Sequence, residues 1–303
     1  MMRVVYGFAW RQNPGPRLRC WFCLAAKPLG GTVLNYFVVN RGDEESCKLV
    51  KEFHLLAAAH GMTESRHEPD FVVSIGGDGT MLQAFHQFRG NLATASFVGI
   101  HTGHLGFFAD WMPGEISQLI TLMNAPPQAS KLRLVTYPLV EVEVVKAAGE
   151  THSFMALNEF TIKGIDSTLV AQLNINDEPF ETFRGDGICI STPCGSTAYN
   201  KSLGGAILHP SLEALQIAEI SSINNRVYRT LGSSMILPKH HHCDIYPKSE
   251  GRFLITLDHL SFQENQVTSI RCQVSKEIIR FARFRPFPFW SRVREAFIGH
   301  DFN

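Results

Sequence analysis

Gly76-Gly77-Asp78-Gly79-Thr80 stands between the short apolar run Phe71–Ile75 and the helical pattern Met81–Phe88. A turn of this composition joins a buried strand to a helix and lies at the carboxyl end of a parallel sheet, where open α/β folds bind ligands. The flanking sequence agrees. Val33–Val39 is β-rich and apolar. After it come Ser46, placed as a helix N-cap, then Leu49, Phe53, Leu56 and Ala57 at helical spacing, and Gly61 as a stop. Ala95–Ile100 is a third strand, and a helix is predicted from Pro113 to about Met123. Strand–helix–strand–helix order predicts a parallel, doubly wound sheet.

The rhythm changes near Ala125-Pro126-Pro127. From Arg133 to about Val274, short strands with period-2 alternation prevail, among them Val140–Val144, Leu169–Ile175, Phe253–Leu257 and Val267–Val274. Turn residues such as Ala148-Gly149 and Asn176-Asp177 separate them. Two helical insertions are expected, Ser196–Leu203 and Ser211–Ser222, and the tail reads as a strand Glu277–Phe284 and a helix Phe287–Ile298. The expected organisation is an extension (1–32), an α/β nucleotide domain (33–132) joined by the C-terminal segment 275–303, and an antiparallel, sandwich-like β domain (133–274).

Composition narrows the class. Of 303 residues 45% are apolar, enough for sizeable cores, and the 28 basic and 28 acidic side chains cancel. Nothing in that balance suggests nucleic acid or an anionic lipid surface. No apolar run reaches the roughly 18–20 residues of a membrane helix. Arg11, Arg17 and Arg19 interrupt the apolar part of the N-terminus, unlike a secretory signal. That segment reads as a poorly ordered extension or as sequence upstream of the working start. Seven scattered cysteines suit a reducing cytoplasm. Cys20 and Cys23 lack a second pair for zinc, and His240–His242 reads as a solvated loop.

The chemistry begins with the pentapeptide. Gly76, Gly77 and Gly79 let backbone N–H groups approach phosphate oxygens, and the following helix offers its partial positive charge to the same anion. Asp78 repels phosphate, so its use is to accept a hydroxyl proton or to hold a divalent metal that bridges phosphates. A second constellation runs Arg184-Gly185-Asp186-Gly187, strand Ile188–Ser191, then Thr192-Pro193-Cys194-Gly195-Ser196-Thr197-Ala198-Tyr199. Its free N–H groups and hydroxyls suit a polar ring edge or a phosphate, and Tyr199 adds a flat face with a polar tip. A third, Asn158-Glu159, pairs an amide suited to a base with a carboxylate suited to a sugar diol. The chain has no GxxxxGK[ST], no GxGxxG after a strand, no protein-kinase set and no G-x-S-x-G.

Together, GGDGT at 76–80, Asn158-Glu159, Arg184–Tyr199, the stretch Asn200–Lys239 and the Arg280–Trp290 tail resemble the NAD kinases, particularly the compact enzymes of Gram-positive bacteria, over about residues 33–300. The resemblance implies phosphorylation of the adenosine ribose 2′-hydroxyl of NAD by ATP or another phosphate donor, a divalent cation such as Mg²⁺, and a homo-oligomer, usually a tetramer. It implies that Asp78 meets the 2′-hydroxyl, with Gly79 and Leu82 beside it, and that Phe107 lines the adenosine pocket. Asn158 and Glu159 would hold the adenosine half, and Thr197 and Ala198 the adenine edge. Asp186, Tyr199, Ser202 and Ile223 would serve the nicotinamide half, Arg184 a phosphate or a neighbouring subunit, and His259 the ligand side. Cys194 departs from the family's Thr or Ser and, at a helix start, is expected to contact the adenine weakly and to be acidic and oxidisable. Two alternatives remain at this point: a sugar or lipid kinase with the same glycine loop, and an NADP(H) sensor without turnover.

Overall fold

The computed structural model describes residues 33–103, 106–125, 127–248 and 251–299. The expectations for residues 1–32, including Cys20 and Cys23, lie outside them. Strand β1 (Asn35–Asn40) leads into helix α1 (Glu44–Ala59). Asp43, not Ser46, caps this helix: its Oδ1 accepts the Ser46 N–H at 2.8 Å, and Ser46 itself is buried one turn in. The two-residue strand β2 (Thr63–Glu64) and β3 (Phe71–Ile75) follow, then α2 (Asp78–Gln87) and β4 (Ser96–Ile100). Pro113–Glu115 forms a 3₁₀ turn before α3 (Ile116–Asn124), and the single turn α4 (Pro127–Ser130) ends this half.

β1, β3 and β4 pair in parallel, and their side chains alternate between two helical layers. Val73, Ile75, Val98 and Ile100 pack with Phe53 and Ala57 of α1 and with Ile116, Leu119 and Ile120 of α3. Val72 and Phe97 point the other way, to Met81, Leu82 and Phe85 of α2. This is the predicted doubly wound arrangement, with α2 alone beneath the glycine turn.

The second half comprises β5 (Arg133–Lys146), β6 (Thr151–Ala156), β7 (Glu159–Gly164), β8 (Leu169–Ile175), β9 (Glu178–Gly185) and β10 (Gly187–Ser191). After the one-turn helix α5 (Tyr199–Ser202) come β11 (Ala214–Ile220), β12 (Met235–Pro238), β13 (His242–Pro247), β14 (Arg252–Leu257), β15 (Leu260–Asn265), β16 (Val267–Arg283) and helix α6 (Phe289–Phe297). A six-stranded antiparallel sheet, β12-β11-β10-β7-β14-β15, faces the antiparallel part of a ten-stranded sheet. Phe160, Ile188, Ile190, Ile217 and Ile255 from one meet Val142, Leu173, Ile245 and Ile270 from the other in a common core. The β-rich sandwich is as expected.

Three local expectations fail. Ser211–Ser222 holds strand β11 instead of a helix; Ala214–Ala218 is buried without alternation, and a strand buried on both faces has no period to distinguish it from a helix. Ser196–Leu203 is not one helix but a 3₁₀ turn, Cys194–Thr197, followed by α5. The two tail strands are one: β16 runs unbroken, and the polar Ser275–Glu277 is absorbed by a register shift between Val274 and Ile278. That strand pairs antiparallel with β5 and β13 and, through Phe281 opposite Phe97, parallel with β4. Both halves therefore share one sheet. No helix among the described residues is long and apolar enough to cross a membrane.

Candidate active site

β3 ends at Ile75, and the Gly76 N–H donates to the Ile100 carbonyl at 2.9 Å, so the glycine turn is anchored to the next strand. A Cβ at Gly76 would collide with Thr80 Oγ1; at Gly77 and Gly79 it would meet nothing within 4 Å, which leaves the outer face of the turn open. Asp78 is the first residue of α2. Its Oδ2 accepts the Phe107 N–H at 2.9 Å and its Oδ1 the Phe108 N–H at 3.1 Å. A Cβ at Gly106 would fall on the same carboxyl, so only glycine allows this approach. Burial of the carboxyl pushes its pKa up, against the opposing pull of the two N–H groups and the Arg292 and Arg283 guanidiniums.

A second wall comes from Leu157-Asn158-Glu159, between β6 and β7. The Asp258 carboxylate, at the tight turn joining β14 to β15, gathers three successive N–H groups: Leu157 at 2.9 Å, Asn158 at 2.7 Å and Glu159 at 3.3 Å. Its Oδ2 also accepts from His86 Nε2 on α2. Thr192 closes the other side: its N–H donates to the Asn158 carbonyl and its hydroxyl to the Leu157 carbonyl. A Cβ at Gly195 would strike the Asn158 carbonyl. Burial, then the Asp258 charge, raise the Glu159 carboxyl from 4.5 to about 8, although the Tyr199 N–H donates to it. Asn158 Oδ1 and Glu159 Oε2 are buried with no protein partner. Such groups call for a ligand or water.

The Tyr199 hydroxyl accepts from Lys163 Nζ at 2.9 Å, and Lys163 lies opposite Gly187 across β7 and β10. Tyr199 thus joins the Asn158-Glu159 wall to the Arg184–Gly187 turn. There Arg184 stacks on Tyr228 at 5.1 Å, its carbonyl accepts the Ile223 N–H at 2.7 Å, and the Asp186 side chain is exposed. Thr197 and Ala198 are half-buried and Ser202 is exposed. His259 is exposed beside Asp258, its ring 5.3 Å from that of His86; partial desolvation, then the His86 charge, lower its pKa. Leu82 is buried in the core under α2, and Phe107 stacks on Phe297 at 5.9 Å.

Cys194 differs from expectation. It is 5% exposed in the apolar cluster with Leu82, Phe108, Leu157 and Phe281, and burial pushes its thiol up, not down. His242 is also not in a loop: it opens β13 near Asp177 and Asp244. Those three offer ligand atoms within 4.8 Å of one another, but Arg271 already binds both carboxylates, so the positive charge is supplied. No local pattern points to Asp258, His86, Asp110 or Arg292; Arg283 falls inside the Arg280–Trp290 tail and Arg292 just beyond it.

Residues 59–127 match the family described as ATP-NAD kinase N-terminal domain, and residues 157–282 the ATP-NAD kinase C-terminal domain. NAD kinase 1 of Bacillus subtilis (strain 168) is 51% identical over 267 residues, which cover 88% of this chain and 99% of that relative. NAD kinase of Geobacillus stearothermophilus is 50% identical over 267 residues, covering 88% and 97%. Among solved structures, yeast NADH kinase complexed with NADH superposes with a TM-score of 0.77 at 19% identity, covering 90% of this chain and 89% of that one. At that identity the likeness concerns the fold. Sequence identity of about half, sustained over nearly the whole length of these relatives, places the chain in the NAD kinase family.

Proposed function

We propose that this chain is an ATP-dependent NAD kinase that phosphorylates the 2′-hydroxyl of the adenosine ribose, with Asp78 receiving or orienting the hydroxyl proton. The observation that carries the assignment of Asp78 is its carboxyl group, fixed by two N–H bonds at the base of an open glycine turn. A carboxylate whose pKa is raised by burial is a better proton acceptor than one in water. Gly77 and Gly79 present unobstructed backbone, and the α2 N-terminus adds partial positive charge for the donor phosphates. Such a site works by positioning and charge neutralisation.

Asn158 Oδ1 and Glu159 Oε2, buried and unpartnered, supply acceptors for the adenosine half. With a pKa of about 8, Glu159 is protonated at neutral pH and also has a donor for a ribose oxygen. Thr197 and Ala198 border the adenine; Tyr199, Asp186, Ser202, Arg184 and Ile223 line the route to the nicotinamide half, and His259 the ligand side. Cys194 contributes packing beneath the adenine edge. The Asp78 oxygens each accept one bond and retain lone pairs, which fits a divalent cation carried mostly by phosphates. Such a cation would neutralise donor charge when bound.

A tetramer is supported by exposed Phe180 on β9 and exposed Ile223, Val227 and Leu231 in the loop between β11 and β12, and a cytoplasmic setting by the free thiols of Cys47, Cys189, Cys194, Cys243 and Cys272. The test is incubation with NAD, ATP and Mg²⁺ and assay of NADP by an NADP-specific dehydrogenase, with Asp78→Asn alongside. NADP from the wild type and a kcat at least 10³-fold lower for Asp78→Asn, with NAD still bound, are expected. NAD binding without NADP leaves a sensor; no NAD binding leaves a sugar or lipid kinase.

A further inference from the structure

Of the nine residues of α6, Phe289 and Arg292 are buried. A buried guanidinium is costly unless its donors are used. Those of Arg292 are. Nη1 donates to the Gly106 carbonyl at 2.8 Å and to the Ala109 carbonyl, and Nη2 to Asp110 Oδ1 at 2.7 Å. From β16, Arg283 Nη1 binds the other Asp110 oxygen at 2.6 Å and the Phe108 carbonyl at 3.0 Å. The side chains of Asp110, Arg283 and Arg292 are 3, 3 and 8% exposed. Residues 106–110 are therefore held from two sides: carbonyls by the two guanidiniums, and the Phe107 and Phe108 N–H groups by Asp78.

We propose that Arg292 is a positioning residue for phosphoryl transfer, fixing the Gly106–Asp110 loop so that its two N–H groups hold Asp78 in the orientation that meets the acceptor hydroxyl. This rests on the reading of Asp78 given above. Two arginines and one aspartate leave a net positive charge behind the Asp78 carboxyl, which opposes its desolvation. The groups around it are Arg283 and Asp110, with Tyr137 and Cys194 bordering the cluster. Arg283, on β16, also stacks on Phe281 in the core, and both guanidiniums lie over the half-buried Phe287 ring. Arg292, on the last helix, is the one whose removal leaves the sheet intact.

The test compares Arg292→Lys and Arg292→Met with the wild type by kcat, KM for NAD, the pH profile of kcat and thermal melting. Arg292→Lys keeps the charge but loses the fork: kcat should fall about 10–100-fold, with KM changed less than threefold and the acid limb in place. In Arg292→Met the acid limb should also move to higher pH, since a cation that favours the ionised Asp78 is gone. In an Asp78→Asn background, Arg292→Lys should cost almost nothing further. Equal losses in both backgrounds, or Lys and Met variants that lose kcat alike without a shifted limb, reduce Arg292 to an anchor for α6 and overturn the proposal. So does an Arg292→Lys kcat within threefold of wild type, which decides the matter even if the Met variant fails to fold. A near-normal kcat for Asp78→Asn alone instead removes the reading of Asp78.

Discussion

His86 Nε2 lies 2.7 Å from Asp258 Oδ2, across a separation of 172 residues. That bond ties the helix behind the glycine turn to the strand end that carries Asn158 and Glu159, so the two walls of the site share a carboxylate. In Asp258→Asn, an amide N–H₂ faces donors where an oxygen stood. Unpairing buried donors costs on the order of 1–3 kcal/mol each. The expected result is a lower Tm and at least tenfold weaker NAD binding, read by calorimetry.

Gly106→Ala places a methyl group on the Asp78 carboxyl. The carboxylate must move off the Phe107 and Phe108 N–H groups. Steady-state assays should show kcat reduced by 100-fold or more, with NAD affinity within about threefold of wild type, because Asn158 and Glu159 are untouched.

Glu159 makes stability depend on pH in a particular direction. Its folded pKa is raised from 4.5 to about 8, so between those values the folded chain binds more protons than the unfolded one. Its contribution therefore declines as pH rises through that window. Glu159→Gln stays neutral throughout. Denaturant midpoints of wild type and variant should converge below pH 4.5 and separate in favour of Glu159→Gln at pH 8.

Cys194 should be chemically silent. In a background where Cys20, Cys23 and Cys47 are serine, a thiol reagent should label the native protein no faster with Cys194 than with Cys194→Ala, and should reach Cys194 only on unfolding. Cys194→Thr, which restores the hydroxyl of the family pattern, puts a polar group into an apolar cluster and should cost about 1–3 kcal/mol in urea melts.

The parallel sheet was legible because Phe71–Ile75 and Ala95–Ile100 are each apolar but for one serine and are punctuated by glycine, and the glycine turn located Asp78. β11 was not, since a strand covered on both faces carries no alternation. β16 was split because Ser275-Lys276-Glu277 has the composition of a turn; only pairing with β5 shows a bulge. Of the site, the residues in contiguous motifs could be named from the chain. Asp258, His86 and Arg292 could not, because each acts across about 100 positions or more and none has a local pattern that announces it. Cys194 misled for a related reason: its helical turn is only four residues and is covered by Leu157 and Phe281, so burial outweighs any end charge.

β16 and α6 are made long after the glycine turn, and their place beside β4 and the Gly106–Asp110 loop makes the assembled site wait for them. A nascent chain emerges from the ribosome N-terminus first, so the glycine turn is available long before Phe281 can pair with Phe97 or Arg283 and Arg292 can reach Asp110. A product cut short by even the final helix lacks one of the two cations behind its candidate catalytic carboxylate. Incomplete translation products would thus retain the glycine turn without the guanidinium that steadies its aspartate, and the appearance of activity would mark the arrival of α6.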